Sequence, residues 1–196
     1  MQTPKLIVVT GRPGSGKTTL ARALALQLRL PAVVRDEIKE GYVRAQGRPC
    51  AELPGANAHA TELFFAVVAK LLEGGVSLVA EAAFQHRLWR ERLEPLRSKA
   101  DVAIVLCEAG DRTAFERYLR RGLDDPMREF LHGDPGVSLA RQGRAPEPPP
   151  YDPPRLGFPT FAVDTSAGYD PSLSELAERL LAPPTFPTEA NRHGTL

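Results

Sequence analysis

Apolar residues fall into short continuous runs separated by segments in which they recur every three or four positions, the patterns of buried strands and amphipathic helices. Lys5 to Thr10 reads as a buried strand, and Gly16 to Leu28 as a helix whose Leu20, Leu24 and Leu28 share one face. Ala32 to Arg35 is a second short strand, and a helix follows from about Glu37 to Ala45 with Asp36 at the junction. Between Gln46 and Asn57, Gly47, Pro49, Pro54 and Gly55 interrupt any period, which predicts a loop. A long helix is expected from about His59 to Glu73, where Leu63, Phe64, Val67, Val68, Leu71 and Leu72 recur in pairs four residues apart until Gly74-Gly75.

Val76 to Ala80 is a third buried strand, His86 to Lys99 a helix, and Val102 to Cys107 a fourth strand. Asp111 to Arg121 is helical, with Phe115, Tyr118 and Leu119 on one face. Phe158 to Val163 makes a fifth strand and Pro171 to Leu181 a last helix, opened by Asp170 or by a Ser172/Glu175 capping box. Alternating strands and helices predict an α/β protein with a parallel sheet covered on both faces. From about Leu123 to Gly157 the chain turns to Asp, Gly, Arg and Pro, with Pro146-Glu147-Pro148-Pro149-Pro150 and Pro153-Pro154, and reads as either a functional flap or a floppy insert. Residues 183–196 hold little to bury and are expected to fray, leaving one domain over 1–182 with a lid-like or flexible insert at about 123–157.

With 196 residues, 42% of them hydrophobic, the chain is long enough to bury a core. Lys and Arg total 25 against 24 Asp and Glu, so no global field draws the protein to nucleic acid or to a membrane, and a basic site must be local. No apolar run reaches membrane-spanning length, the Met1 end lacks a secretory pattern, and only Cys50 and Cys107 are present. A cytoplasmic protein is expected, with no membrane partner and no obligate protein partner. Cys107 closes an apolar run and reads as core, while Cys50 lies in a polar loop without a His or Asp pattern beside it.

The chemistry centres on Gly11-Arg12-Pro13-Gly14-Ser15-Gly16-Lys17-Thr18, which satisfies G-x-x-x-x-G-K-[ST], and continues into Thr19. Such a loop turns backbone N–H groups and a helix N-terminus toward phosphates; Lys17 would reach the terminal phosphates and the Thr18 hydroxyl would ligate Mg2+. Asp36, past the second strand, is either a general base toward an acceptor hydroxyl or a helix N-cap. Lys39 either clamps an acceptor phosphate or is solvated. Glu81 closes the third strand, where an acid holds Mg2+ through water or assists the loop, the alternative being a solvated strand end. Arg87 is a candidate substrate contact, and His86 has no Cys/His spacing near it that would suggest zinc. Arg117, Arg120 and Arg121 share a face opposite Phe115, Tyr118 and Leu119, and either close over the phosphates or form a solvated surface.

With these parts in this order, the chain resembles the small P-loop kinases. It is similar in particular to the predicted kinases among AAA family ATPases, which are related to polynucleotide 5'-kinase domains, chloramphenicol phosphotransferase and zeta toxins. The resemblance runs from about Lys5 to Leu181. It implies a P-loop NTPase three-layer sandwich with sheet order 2-3-1-4-5, ATP and Mg2+ as cofactors, and transfer of the γ-phosphate to a hydroxyl. By the same resemblance Lys17 and Thr18 match the nucleotide site, Asp36 the acceptor-activating aspartate and Arg117 to Arg121 a lid. Asp164-Thr165-Ser166 matches a loop near the adenine, which makes Thr165 a candidate nucleotide contact. Lys39 stands where polynucleotide kinases carry arginine, and an ammonium cannot grip phosphate bidentately. Glu81 is one methylene longer than the usual aspartate. The expected activity is therefore an ATP-dependent kinase acting on a small-molecule hydroxyl, with a polynucleotide 5'-end or a slowly hydrolysing switch as alternatives. Neither Asn57 nor Asn191 begins the N-K-x-D motif of a guanine site, and Ala82 after Glu81 departs from the paired acids of motor ATPases.

Overall fold

The computed structural model describes residues 3–182, in which Lys5–Thr10 (β1), Ala32–Val34 (β2), Leu78–Glu81 (β3), Asp101–Glu108 (β4) and Thr160–Asp164 (β5) form one parallel sheet. Its order is β2-β3-β1-β4-β5, as the resemblance implies. The pleat sends alternate residues of β1 to opposite faces, which is why its apolar run is unbroken. Leu6 and Val8 join Phe64, Val68 and Trp89 beneath Ala56–Glu73 (α3) and His86–Leu93 (α4). Ile7 and Val9 join Leu20, Leu24, Leu176 and Leu180 beneath Lys17–Leu28 (α1) and Leu173–Leu181 (α8). The Ser172/Glu175 box caps α8: Glu175 N donates to Ser172 Oγ at 3.3 Å and Ser172 N donates to Glu175 Oε2 at 2.9 Å. No helix among the described residues is long and apolar enough to cross a membrane.

Several boundaries move, each for a local reason. Helix α2 (Arg35–Gln46) begins at Arg35, so Asp36 lies inside its first turn and Val34 occupies the N-cap. The N-cap alternative for Asp36 is therefore not realised. Helix α3 begins at Ala56, after left-handed Gly55, three residues before the expected start. Helix α4 stops at Leu93 instead of Lys99, because Pro95 lacks an N–H and crowds the preceding turn; Glu94–Leu96 form a 3-10 turn. The Gln46 to Asn57 segment contains a second 3-10 turn, Cys50–Glu52, and Cys50 is buried with Val43, Leu53, Ala56 and Leu131 rather than set in a polar loop. Cys107 is buried, and burial pushes its thiol pKa up to about 12.

The Asp-, Gly- and Pro-rich segment follows a defined path. After Asp111–Asp124 (α5) come two short helices, Pro126–His132 (α6) and Pro135–Arg141 (α7), with α6 against α2 and α7 against α5. A side chain at Gly122 of α5 would overlap Val137 of α7. The proline-rich strap beyond is stitched to the β3–α4 junction. Gln85 Nε2 donates to the Pro150 carbonyl at 2.9 Å, and Gln85 Oε1 accepts from Asp152 N at 2.6 Å. His86 N donates to the Asp152 carbonyl at 2.7 Å and His86 Nδ1 accepts from Arg155 N at 3.1 Å. In the structure the strap is thus held by four hydrogen bonds to Gln85 and His86. The expected fraying over 183–196 lies outside the described residues.

One buried hydroxyl ties these parts together. Thr10 Oγ1 donates to the Ala82 carbonyl at 2.8 Å and accepts from Trp89 Nε1 at 3.1 Å. Its single proton is spent on Ala82, so at 3.1 Å the Tyr151 hydroxyl of the strap is the donor. Trp89 is fully buried among Phe64, Phe65 and Phe84. Trp89→Phe removes the indole donor and ring volume, and is expected to lower the unfolding free energy by about 1–3 kcal/mol in a urea titration followed by far-UV circular dichroism. Arg87→Ala on the exposed side of α4 should change it by under about 0.5 kcal/mol in the same titration.

Candidate functional site

Between the end of β1 and the start of α1 the backbone folds into a concavity too tight for side chains. At Gly14, which has φ +83°, a Cβ would run into the Ala114 carbonyl of α5, and at Gly11 it would lie 2.7 Å from the Cys107 carbonyl oxygen. Only glycine permits both the left-handed turn and these approaches. Thr165 Oγ1, buried behind the loop, donates to the Ser15 carbonyl at 2.6 Å and stands 3.1 Å from the Glu108 carbonyl. Thr165 therefore props the loop from behind. Ser15 is buried and its Oγ has no partner. Thr19 is exposed on α1, Pro13 is partly exposed, and Arg12 turns aside to Asp111, 3.1 Å away, and the Tyr151 ring.

Beneath the loop the structure gathers Lys17, Thr18 and Glu81. Thr18 Oγ1 donates to Glu81 Oε2 at 2.9 Å, and Lys17 Nζ lies 3.8 Å from Glu81 Oε1. Glu81 is 3% exposed, so it is not a solvated strand end. Burial raises its pKa; Asp36 adds to this, while Lys17 and the Thr18 hydrogen bond oppose it. Asp36 shifts the other way. Burial is the largest single influence and acts upward, but Lys17, His132 and Arg35 together outweigh it, and the pKa falls below the usual aspartate value. Two carboxylates near one lysine are thus pushed apart, Asp36 toward the ionised form and Glu81 toward the protonated one.

The arginines of α5 divide. Arg120 and Arg121 line a cleft of about 470 Å3 with Gly14, Gly16, Asp124 and Asp125. The Arg121 pKa is lowered by partial desolvation and then by Arg128, while Asp36, Asp134 and Glu81 act in the opposite sense. Arg117 borders the same cleft, but its Nη1 donates to the Thr165 carbonyl at 3.0 Å and its Nη2 to the Ser166 carbonyl at 2.6 Å. Its guanidinium thus holds the loop after β5. Lys39 is 3% exposed and donates to the His132 carbonyl at 3.1 Å, so it is neither solvated nor free to clamp a phosphate. The Arg87 side chain is 85% exposed and paired with Glu91 on its own helix. A second cavity, of about 320 Å3, opens beyond Arg12 between Glu108, Asp111, Tyr151 and Pro153.

Sequence reasoning missed Arg35, Asn57, Arg128 and His132. Arg35 bridges Asp36 and Asn57. His132 is buried with Nε2 2.9 Å from Glu40 Oε1, and burial followed by the Arg128 charge lowers its pKa. The signal for the two short helices was present in Asp125-Pro126 and Asp134-Pro135, each an Asp at an N-cap followed by Pro at the first helical position. The Asp125 carboxylate accepts from Met127 N at 2.9 Å.

A family model described as an AAA domain matches residues 6–133. Among solved structures the chain is 30% identical to a candidate kinase from Chloroflexus aurantiacus, with a TM-score of 0.70, 92% of this chain and 95% of that one being covered. A sugar kinase from Janibacter sp. shares 19% identity with a TM-score of 0.54, covering 91% of this chain and 92% of the other. A gluconokinase from Sinorhizobium meliloti shares 20% identity with a TM-score of 0.50, covering 92% and 91%. No curated protein sequence matches the chain. The fold is that of the P-loop NTPases, and the domain is P-loop kinase-like.

The role of Arg117 is open to direct measurement. Arg117→Ala should leave the fold intact while amide hydrogen exchange over residues 166–169 accelerates roughly tenfold or more, because two carbonyls lose a charged donor. Unchanged exchange would mean that other contacts hold the loop.

Proposed function

The chain belongs to the AAA domain family, and from that premise we propose that it is an ATP-dependent phosphotransferase moving the γ-phosphate of ATP to a hydroxyl of a small molecule. The observation that carries this is the placement of Asp36, a carboxylate in the first turn of α2 directly after β2 and near the charge of Lys17, with no side chain but Arg35 bonded to it among the described residues. A switch that only hydrolyses ATP has no need of a proton acceptor for an alcohol. In this reading the loop from Gly11 to Thr19 cradles the phosphates and Lys17 reaches the β- and γ-phosphates. Asp36 accepts the acceptor's hydroxyl proton as its oxygen bonds to the γ-phosphorus and the bond to the ADP oxygen breaks. Arg120 and Arg121 offset the charge on the transferring group.

Thr18 and Glu81 suit Mg2+, since both present oxygen ligands, already 2.9 Å apart in a buried place. No cluster of three or more His, Cys, Asp or Glu occurs among the described residues, so phosphate oxygens and water would complete the shell. When bound, the ion neutralises phosphate charge. A small acceptor is favoured over a polynucleotide because the basic residue one turn beyond Asp36, Lys39, is buried against α6 and cannot line an open basic groove.

Labelled ATP offered with aminoglycosides, nucleosides, sugars and 5'-hydroxyl oligonucleotides should yield ADP in step with one phosphorylated small molecule. Labelled oligonucleotide would overturn the acceptor class, and inorganic phosphate alone would overturn transfer. Asp36→Asn should reduce kcat by about 10^2 to 10^4-fold while ATP affinity stays near that of the wild type. Undiminished turnover in that variant would remove Asp36 from the chemistry.

A further inference from the structure

The first turn of α2 contains a side-chain clamp that none of the roles above uses. Arg35 follows the last residue of β2, and its side chain is 13% exposed. Its Nη1 donates to Asp36 Oδ1 at 3.1 Å. Its Nη2 donates to the Asn57 backbone carbonyl at 2.9 Å and to Asn57 Oδ1 at 3.0 Å. Asn57 is the second residue of α3, and its carbonyl also accepts from Thr61 Oγ1 at 2.8 Å. One edge of the guanidinium therefore rests on the start of α3 while the other holds the carboxylate.

Adjacent residues on a helix do not face each other, so the Arg35–Asp36 contact is not an ordinary pairing along α2. It needs an anchor outside the helix, and Asn57 supplies one. Because the guanidinium is planar, with its donors in a fixed fork, securing one edge fixes the direction of the other. Among the described residues no other side chain hydrogen-bonds Asp36, which leaves Oδ2 to receive a proton.

We propose that Arg35, anchored by Asn57, is a positioning residue that sets the orientation of the Asp36 carboxylate, so that the N-terminus of α3 determines where the acceptor proton is received. The inference rests on the reading of Asp36 as the acceptor-activating group. Of the other titratable and charged groups facing Asp36, Lys17 of α1, Arg121 of α5, His132 of α6 and Glu81 of β3 are unaltered by changes at 35 or 57. Arg35 adds its own charge and, through the fixed fork, direction.

Arg35→Lys keeps the charge but loses the fork, and Asn57→Ala keeps the whole of Arg35 but removes the side-chain part of its anchor. The full chain of each variant would be followed by carboxyl-carbon NMR of Asp36 and by kcat and KM for the acceptor found in the screen. In both variants the Asp36 carboxyl resonance should move and its titration midpoint rise, kcat should fall roughly ten- to a hundredfold, and KM for ATP should stay unchanged. An Asp36 signal and kcat like those of the wild type in both variants would overturn the proposal even while Asp36→Asn is inactive. An effect in Arg35→Lys alone would overturn the anchored clamp. If Asp36→Asn itself turns over normally, the catalytic reading fails, and the NMR arm still decides whether Arg35 and Asn57 orient the carboxylate.

Discussion

Lys17 is the charge on which the site depends. Glu81 sits almost wholly out of water at the end of β3, in register with Val9 of β1 and Val34 of β2, so it is fixed between two neighbouring strands. A carboxylate in that place is costly unless a cation and a donor meet it, and Lys17 and Thr18 arrive together from the first turn of α1. The same lysine lowers the pKa of Asp36. Moving Lys17 would therefore disturb two carboxylates of opposite tendency at once. The phosphate loop, the acid closing β3 and the acid opening α2 thus form one electrostatic unit, although 63 residues of sequence lie between Lys17 and Glu81.

A second dependence is mechanical and runs through Thr10. Its hydroxyl, at the last residue before the loop, joins the end of β3, the aromatic cluster around Trp89 and the strap at Tyr151. Prolines stiffen the strap but remove donors, so its order has to come from groups outside it. Gln85 and His86 provide those groups through backbone contacts at Pro150, Asp152 and Arg155. The segment that composition marks as least regular is therefore tied to the strand end that carries Glu81.

The strands, the glycine loop and most helix faces were legible because burial imposes a period on the chain, and the sheet order came from the family resemblance. Partners contributed by distant elements impose none. The exposed stripe of α5 shows three arginines, but nothing in it shows that Arg117 turns to two carbonyls beyond β5 while Arg121 remains at the cleft. Lys39 looks solvated until α6 is packed over it, and α6 and α7, at seven residues each, are too short for periodicity to register. Arg35 escaped notice because its partner Asn57 falls in a stretch whose glycines and prolines suggested only a loop. Arg87, near a strand end, has Glu91 of its own helix as its partner, which its place in the sequence alone does not show.

Gly14 against Ala114 has a further consequence. With no side chain between them, the phosphate loop and α5 touch backbone to backbone, and near the other end of α5 Gly122 meets Val137 of α7 with equally little slack. Close-packed contacts of this kind transmit displacement rather than absorb it. The helix is seated against the loop at one point and against α7 at another, with Arg117, Arg120 and Arg121 between them. A side chain at Gly14 or at Gly122 would push α5 off one of these two seats, and would carry the three arginines with it.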